Sequence, residues 1–285
     1  MTTLAQSTAQ SEHILHYLNP LTLARSLWQQ RSLIWQFSQR DVVGRYKGSF
    51  LGIFWSLVNP LALLLIYTFV FGVVFQSRWP QARTTSLAEF ALITFCGLMV
   101  HNVFAETLVR APLLIVNVPN YVKKVVFPLE VLAVSSLGGA LFHGGISLAI
   151  LLGALLLTNG GIAWTLPLLP LVLLPLVFLS LGLSWFLASL GVFIRDIGHS
   201  ITLAVQVLFF LTPIFYPLEA IPEPFQTLIR LNPMSAIVGN TRAVVLWGQL
   251  PDWTSLTVWT LIGGAVMVLG YTWFMKSRRA FADVI

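Results

Sequence analysis

The longest uncharged stretch constrains this chain more than any other feature. From Val131 to Ile194 there is no Asp, Glu, Lys or Arg over 64 residues, and a second such stretch runs from Gly48 to Ser77. A helix needs about 20 apolar residues to cross the hydrocarbon core of a bilayer. Only 9% of the 285 residues are charged, whereas soluble domains average about 25%. The chain is therefore predicted to be an integral membrane protein built from helices.

Six membrane-spanning helices are predicted, which makes the fold class all-α and polytopic. Asn159-Gly160-Gly161 divides the longest uncharged stretch into two spans. After the fifth span, the apolar pieces 225–231 and 236–247 are too short to cross. Re-entrant or interfacial helices are expected there, either as an outer gate or as a cap without moving parts. The predicted spans are residues 50–75, 87–108, 131–157, 166–193, 201–213 and 256–275.

The distribution of Lys and Arg predicts the orientation. When the spans are counted in alternation, twelve of these residues lie on one side and four on the other. The positive-inside rule then places the twelve, and both termini, in the cytoplasm. The net charge of +6 therefore indicates basic residues at the ends of the spans, where they contact anionic lipid headgroups, and does not indicate nucleic-acid binding. The twelve are Arg25, Arg31, Arg40, Arg45, Lys47, Arg110, Lys123, Lys124, Arg195, Lys276, Arg278 and Arg279, and the four are Arg78, Arg83, Arg230 and Arg242.

The N-terminal region divides into two parts. Residues 1–19 are a polar extension without the apolar core of a signal peptide, and residues 20–285 form one transmembrane domain. Before the first span, Trp28 and Trp35 are spaced by seven residues, with Arg25 on the opposite helical face. This pattern predicts an amphipathic interface helix, which either anchors the chain at the membrane surface or docks a cytoplasmic partner.

Residue types that perform catalysis or bind metals are scarce. The single cysteine, Cys96, excludes an internal disulfide. No cluster has metal-ligand spacing, no nucleophile lies beside a base, and the chain has no P-loop motif. We expect no catalytic residue, no metal and no cofactor on this chain, which is not predicted to be an enzyme. Glu89, His101, Glu106 and His143 are the notable ionisable residues in or near the second and third spans, and Glu106 is expected at the cytoplasmic interface.

Two loop segments contain candidate functional residues. Pro119 and Pro128 bound a short basic segment, which is predicted to form a helical knob or else to be an ordinary basic loop. Arg195-Asp196, after the fourth span, is expected to hold a turn or cap the next helix. Pro213 and Tyr216, after the fifth span, are assigned a structural or gating role. The knob residues are Asn120, Tyr121, Val122, Lys123 and Lys124.

Aromatic residues within the spans are a further candidate set. Aromatic rings can stack on sugar rings and so suit a carbohydrate conduit, although packing against lipid and protein is the alternative. The residues predicted to line such a pathway are Trp55, Tyr67, Phe71, Trp185 and Phe209.

Short motifs occur in a fixed order along nearly the whole chain, from about Leu21 to the end. Together they resemble the membrane subunits of ABC type-2 exporters, in the branch that exports O-antigen, teichoic acid and capsule-like polysaccharides. The motifs are Arg40-Asp41 with Arg45-Tyr46-Lys47-Gly48-Ser49-x-Leu51-Gly52-x-x-Trp55 and Asn59-Pro60, then Asn117 through Phe127-Pro128-Leu129-Glu130, Arg195-Asp196, Pro213-Ile214-x-Tyr216, Asn232-Pro233 and the tail Arg279-Ala280-Phe281-Ala282-Asp283.

The resemblance implies a transport role in the bacterial inner membrane. Two copies would form a homodimer around a central pathway, and each would dock a separate ATPase subunit that holds ATP and Mg. Residues 120–124 would be the coupling helix that contacts the ATPase. The cargo would be a polysaccharide on an undecaprenyl-type diphosphate lipid. From charge and position, we predict that Arg25, Arg45 and Lys47 meet this diphosphate at the inner leaflet.

Three other functions remain open at this point. An ABC type-2 permease for a drug or a lipid would share the fold and differ only in substrate. An integral-membrane transferase would need acidic or His residues facing a cavity near one interface, and the chain has few of these. A secondary transporter would need broken helices at mid-membrane and an internal repeat.

Overall fold

The described part of the chain is entirely helical. The structure, a computed structural model, describes residues 18–77, 79–80, 82, 86–123 and 127–285, and no strand occurs among them. Nearly all of the predicted polar extension, together with Arg78, Arg83 and Lys124, lies outside these residues.

Within the described residues, five helical stretches are long and apolar enough to cross a bilayer, and they match five of the six predicted spans. The remaining prediction, 201–213, corresponds to the shorter apolar helix Ile197–Leu211. Its 15 residues extend about 22 Å at 1.5 Å per residue, which is less than the hydrocarbon thickness of about 30 Å. The all-α, polytopic fold class is confirmed. The five stretches are Gly52–Val74, Leu87–Leu113, Val131–Thr158, Leu166–Phe193 and Trp253–Val284.

The helices are numbered here in chain order over the described residues. The α-helices are α1 (Pro20–Gln29), α2 (Arg31–Tyr46), α3 (Trp55–Tyr67), α4 (Leu87–Arg110), α5 (Pro119–Lys123), α6 (Val131–Asn159), α7 (Leu169–Val172), α8 (Leu174–Phe193), α9 (Ile197–Leu211), α10 (Glu223–Arg230), α11 (Pro233–Arg242) and α12 (Trp253–Val284). Short 3₁₀ turns lie at Gly52–Phe54, Ala111–Leu113, Leu166–Leu168 and Leu218–Ala220, and π-helical segments at Thr68–Val74 and Ala243–Trp247.

The predicted interface helix is two helices, α1 and α2. They meet at Gln30, whose backbone leaves the helical region at φ −96° and ψ 10°. Helix α2 then lies along α6, where the Ser38 hydroxyl donates to the Ser135 carbonyl at 3.3 Å. Gly138 permits this approach, since a Cβ atom there would lie 2.5 Å from Ser38 Oγ. Close packing therefore holds α2 against the third span.

Helix α4 is the central helix of the described chain, and the first span is peripheral. In the most apolar window of each, 67% of the second span is buried but only 6% of the first. Helix α4 packs against α6, α8, α9 and α11. The first span leaves large side chains such as Leu65 and Phe69 exposed. Its outward face is therefore left for lipid or for another chain.

Helices α8 and α12 form the closest helix pair. A Cβ atom at Gly270 would lie 2.0 Å from the Gly182 carbonyl oxygen, so the two backbones touch. Helix α12 also continues nine residues beyond the predicted end of the last span at 275. The buried side chain of Phe281 explains this extension, as does the ion pair from Arg278 Nη1 to Glu130 Oε2 at 3.1 Å.

Candidate functional site

A charge network lies where α2, α4 and α6 meet. Arg45 of α2 pairs with Asp41, at 2.6 Å between Nη2 and Oδ2, and with Glu106 of α4. Arg110 of α4 donates to both carboxylate oxygens of the same Asp41, from Nη2 to Oδ1 at 2.5 Å and from Nη1 to Oδ2 at 2.8 Å. Spacing of four residues places Asp41 with Arg45 on one helix face, and Glu106 with Arg110 on another. The negative charges of the two carboxylates therefore offset the positive charges of the two guanidinium groups.

His143 and Tyr46 extend the network to α6. His143 Nδ1 lies 3.1 Å from Glu106 Oε2, and its Nε2 lies 2.8 Å from the Tyr46 hydroxyl. Burial raises the pKa of Tyr46 above its ordinary value, so the phenol remains a donor at neutral pH. His143 Nδ1 also lies 3.0 Å from Arg45 Nη1, so this one ring joins the charged groups of α2 and α4 to the Tyr46 hydroxyl.

Two cavities flank this network. One, of about 690 Å³, lies between α2, α6 and the segment after α4. The other, of about 460 Å³, lies between α2, α3, α4 and α6, and in this article it is called the inner cavity. Several residues of the first sequence motif line it together, among them Arg45, Tyr46, Trp55 and Asn59. Motif residues separated along the sequence thus share one wall.

The structure does not bring the three predicted diphosphate ligands together. Arg25 is exposed on α1, and Lys47 is exposed directly after α2. Helix α2 separates them, and its 16 residues extend about 24 Å. Arg45 is engaged with two carboxylates. That these cations meet a diphosphate stays a prediction, and the geometry favours Lys47 as the accessible group.

The predicted knob is a five-residue helix, α5, which begins at Pro119. Tyr121 stacks on Phe127 with ring centroids 4.7 Å apart, and Phe37 of α2 contacts both rings, at 6.0 and 5.2 Å. Arg40 lies over Phe37 at 4.2 Å and donates to the Tyr121 hydroxyl at 3.2 Å. Helix α5 is therefore braced against α2.

The other knob residues differ in exposure. Asn120 and Lys123 are exposed, and Val122 is half-buried against the core. Lys124 lies outside the described residues. The described helix thus presents one amide and one ammonium outward.

A second anchor lies behind the knob, at Glu130. Its side chain binds Arg278, which also donates to the Phe127 carbonyl at 2.8 Å. The Trp185 indole donates to the Glu130 carbonyl at 3.0 Å. Trp185 is fully buried within the chain, so its observed contacts are with the core and not with an open pathway.

Three of the predicted pathway aromatics gather around Phe215. Tyr67 lies 4.7 Å from the Phe215 ring, Phe71 stacks on it at 4.4 Å, and Phe209 contacts it at 5.2 Å. The π-helical segment Thr68–Val74 carries Phe71, and such segments occur often at functional sites. Trp55 lies elsewhere, in the inner cavity. The five predicted aromatics therefore occupy three different places.

Arg242 is a buried residue whose role sequence reasoning missed. It is 2% exposed, and it donates to the carbonyls of Ile93 at 3.1 Å, Pro213 at 2.7 Å and Ile214 at 2.9 Å. Its guanidinium lies 4.3 Å from the Trp79 ring. Burial lowers the pKa of Arg242 to about 10, so it stays charged at neutral pH. An arginine within an apolar segment too short to span the membrane was the available signal.

The remaining structural or gating candidates lie around α9. The Pro213 carbonyl is held by Arg242, and the Tyr216 hydroxyl donates to the Phe210 carbonyl. Arg195 and Asp196 are exposed where α9 begins. Asp196 is the N-cap residue of α9, but its side chain makes no capping hydrogen bond there. In the described part of the chain, no group of three or more His, Cys, Asp or Glu could hold a metal ion.

Sequence comparison decides the family. The family model for the ABC-2 type transporter matches residues 32–246, about three quarters of the chain. This chain belongs to the ABC-2 type transporter family. The resemblance inferred from the ordered motifs is thereby confirmed.

Individual relatives of this ABC-2 chain are permeases or transport proteins for polysaccharides. The O-antigen export system permease protein RfbA of Myxococcus xanthus is 28% identical over 267 residues, covering 93% of this chain and 100% of the relative. A protein of the same name from Klebsiella pneumoniae is 25% identical over 250 residues, covering 87% and 93%. The polysialic acid transport protein KpsM of Escherichia coli is 22% identical over 244 residues, covering 85% and 92%.

Proposed function

We propose that this ABC-2 chain is the membrane subunit of an ATP-driven exporter for a lipid-linked, O-antigen-like polysaccharide. The observation that carries the proposal is the alignment over 93% of this chain with a relative named as an O-antigen export permease. In this proposal the chain forms a homodimer in the bacterial inner membrane, with both termini in the cytoplasm. ATP and Mg are held by a separate ATPase subunit.

The braced geometry of α5 supports a role in contacting the ATPase. A five-residue helix has little stability of its own, but Tyr121 is fixed by Phe37, Phe127 and Arg40. Movement of α5 would therefore be passed to α2. Asn120 and Lys123 are the outward groups available to a partner.

The proposed lipid diphosphate site centres on Lys47. Its side chain is exposed, and it has no ion-pair partner among the described residues. Arg45, which precedes it by two residues, holds α2 to α4 through Glu106. We therefore assign the charge contact to Lys47, with Arg25 as a more distant contributor. The aromatics around Phe215 are the proposed pathway contacts.

Export in cells tests the proposal. A strain that lacks its own permease for an O-antigen-like polysaccharide is supplied with this chain and its ATPase subunit, and surface polysaccharide is measured by immunoblot. Wild-type chain should restore surface polysaccharide, and omission of the ATPase should abolish it. Restored export without any ATPase would contradict the ATP-driven mechanism. Intracellular retention of lipid-linked polysaccharide despite both subunits would contradict the proposed substrate.

Two variants separate coupling from substrate contact. Tyr121→Ala should reduce co-purification of the ATPase severalfold, because the brace on α5 is lost. Lys47→Gln should lower export and leave co-purification unchanged. Lys276→Gln, which removes another exposed lysine, serves as the matched charge control. Equal export by Lys47→Gln and Lys276→Gln would remove Lys47 from the mechanism.

A further inference from the structure

The inner cavity has the size and lining of a small-molecule site. Its volume of about 460 Å³ falls within the range of about 300–1,000 Å³ for ligand pockets. Its wall combines apolar positions such as Leu63 and Met99 with hydrogen-bonding groups from four helices. The hydrogen-bonding groups on the wall are Tyr46, Ser56, Asn59, Asn102, His143 and Ser147.

The charges on this wall disfavour an anionic ligand. Arg45 is its only cation among the described residues, and Glu106 is its only anion. Arg45 already binds Glu106 and Asp41. A phosphate placed here would lie beside the Glu106 carboxylate and would have to compete with two carboxylates for one guanidinium. In partly buried surroundings such competition is costly. The inner cavity therefore suits an uncharged ligand.

The free hydrogen-bonding groups fit a ligand rich in hydroxyls. Asn59 and Asn102 are both exposed, their carboxamides have no hydrogen-bond partner among the described residues, and both line the cavity on its open side. Each carboxamide offers two donors and an acceptor. Trp55 adds an aromatic surface on which the apolar C–H groups of a pyranose ring can pack. Polar groups next to an apolar surface are the complement of a sugar ring.

We propose that the inner cavity binds one uncharged sugar ring of the lipid-linked glycan, the ring adjacent to the diphosphate. This inference rests on the proposed function. Lys47 follows Tyr46, which lines the cavity, and its side chain is exposed. A diphosphate held at Lys47 would therefore place the first sugar beside the cavity. In this arrangement Lys47 contacts the charged diphosphate outside the cavity, and the cavity wall contacts the hydroxyl groups of the sugar.

Cysteine protection tests occupancy of the cavity. The labelling rate of Ser147→Cys measures accessibility at the cavity wall. Thr158→Cys, on the same helix but outside the cavity, is the control position. Both are made in a Cys96→Ser background, because Cys96 is the sole cysteine. The complex with its ATPase, in phosphatidylcholine nanodiscs, is labelled with a small methanethiosulfonate reagent. The probes are glycan released from the lipid by mild acid, and inorganic pyrophosphate.

The expected result is at least threefold slower labelling at position 147 with the released glycan, and an unchanged rate at position 158. Pyrophosphate should leave both rates unchanged. Protection by pyrophosphate alone, or no protection by the glycan, would overturn the proposal. Protection that appears without glycan in phosphatidylglycerol nanodiscs and equals the glycan effect would assign the cavity to a lipid headgroup instead.

A variant of the wall links occupancy to transport. Asn102→Leu removes one unpartnered carboxamide and should abolish protection by the glycan and reduce export severalfold, with ATPase co-purification unchanged. Asn102→Ala is the milder second variant in case the first does not fold. Thr158→Val should change neither measurement. If wild-type chain exports but both Asn102 variants export equally well, this inference fails and the proposed function stands. If wild-type chain does not export, the proposed function fails, and glycan protection of the purified complex still decides whether the cavity binds a sugar.

Discussion

Two arginine sites contact α4 at different positions along its axis, and their arginines bind different kinds of acceptor. Arg45 and Arg110 are paired with the carboxylates of Asp41 and Glu106. Arg242 binds three main-chain carbonyls instead, one of them from Ile93 of α4. Ile93 and Glu106 are about 20 Å apart along the helix axis at 1.5 Å per residue.

The difference concerns how freely each site can rearrange. Asp41 is shared by two arginines, and the side chains of Asp41 and Arg110 are 20% and 35% exposed. Partners in such a network can exchange while water and the remaining charges compensate. Arg242 is almost wholly buried, and among the described residues no other side chain donates to its three carbonyls. The first site suits a region that moves, and the second suits a region that stays fixed.

The largest expected effect follows from removing Arg242. Arg242→Gln cannot reach all three carbonyls. The Ile93 carbonyl keeps its helical hydrogen bond within α4, but the Pro213 and Ile214 carbonyls lose their donor, and each unsatisfied buried group costs about 1–3 kcal/mol. We expect the free energy of unfolding to fall by about 3–5 kcal/mol in denaturant titrations of the purified chain in detergent. Arg230→Gln, at an exposed position on α10, should change it by less than about 0.5 kcal/mol. A loss below about 1 kcal/mol for Arg242→Gln would remove the contrast between the two sites.

A glycine beside each arginine site provides a matched pair. A Cβ atom at Gly97 would lie 2.7 Å from Arg242 Nη2, and one at Gly139 would lie 2.5 Å from Asp41 Oδ2. The gain in helix propensity from Gly to Ala is common to both. Gly97→Ala should cost about 1–3 kcal/mol because the anchored guanidinium cannot move away. Gly139→Ala should cost less than about 1 kcal/mol, since the Asp41 carboxylate can shift.

Equal losses for Gly97→Ala and Gly139→Ala would show that the network at Asp41 is as rigid as the site at Arg242. The same denaturant titration measures both variants, so the comparison does not depend on the absolute reference state.

The smallest effect is expected for the coupling between Asp41 and Arg110. A double-mutant cycle with Asp41→Asn and Arg110→Gln should give a coupling free energy of about 0.5–1 kcal/mol, because the pair is partly exposed and shares Asp41 with Arg45. The coupling should weaken as salt is raised. A coupling free energy above about 3 kcal/mol that does not change with salt would show that this pair is as fixed as the Arg242 site.

The sequence predicted the spans well because hydrophobic length alone decides them. Four of the five long spans begin within two residues of the predicted start, and the 64-residue block divides where Asn159-Gly160-Gly161 was expected to break it. The end of α12 was predicted too early because its final turns depend on partners distant in sequence, Glu130 for Arg278 and the core for Phe281.

The candidate sites were less predictable because they depend on which helices pack together. Composition marked Glu106 and His143 as unusual, but only the packing of α4 on α6 shows that they form a pair. Arg242 counted in the sequence as one outer charge among four, and its three carbonyl acceptors come from remote segments. Aromatic content predicted stacking without saying that Trp185 would lie in the core.

The length of α12 allows it to connect two distant parts of the molecule. Its 32 residues extend about 48 Å, without a proline to bend them. At one end the Asp252 backbone N–H donates to the Asn240 side chain of α11 at 2.8 Å, and near the other Arg278 holds the carbonyl that follows the knob. Helix α12 therefore contacts α11 near its beginning and the segment that follows α5 near its end. In the proposed exporter, a displacement of α5 by the ATPase would pass along α12 to α11 without involving the charge network.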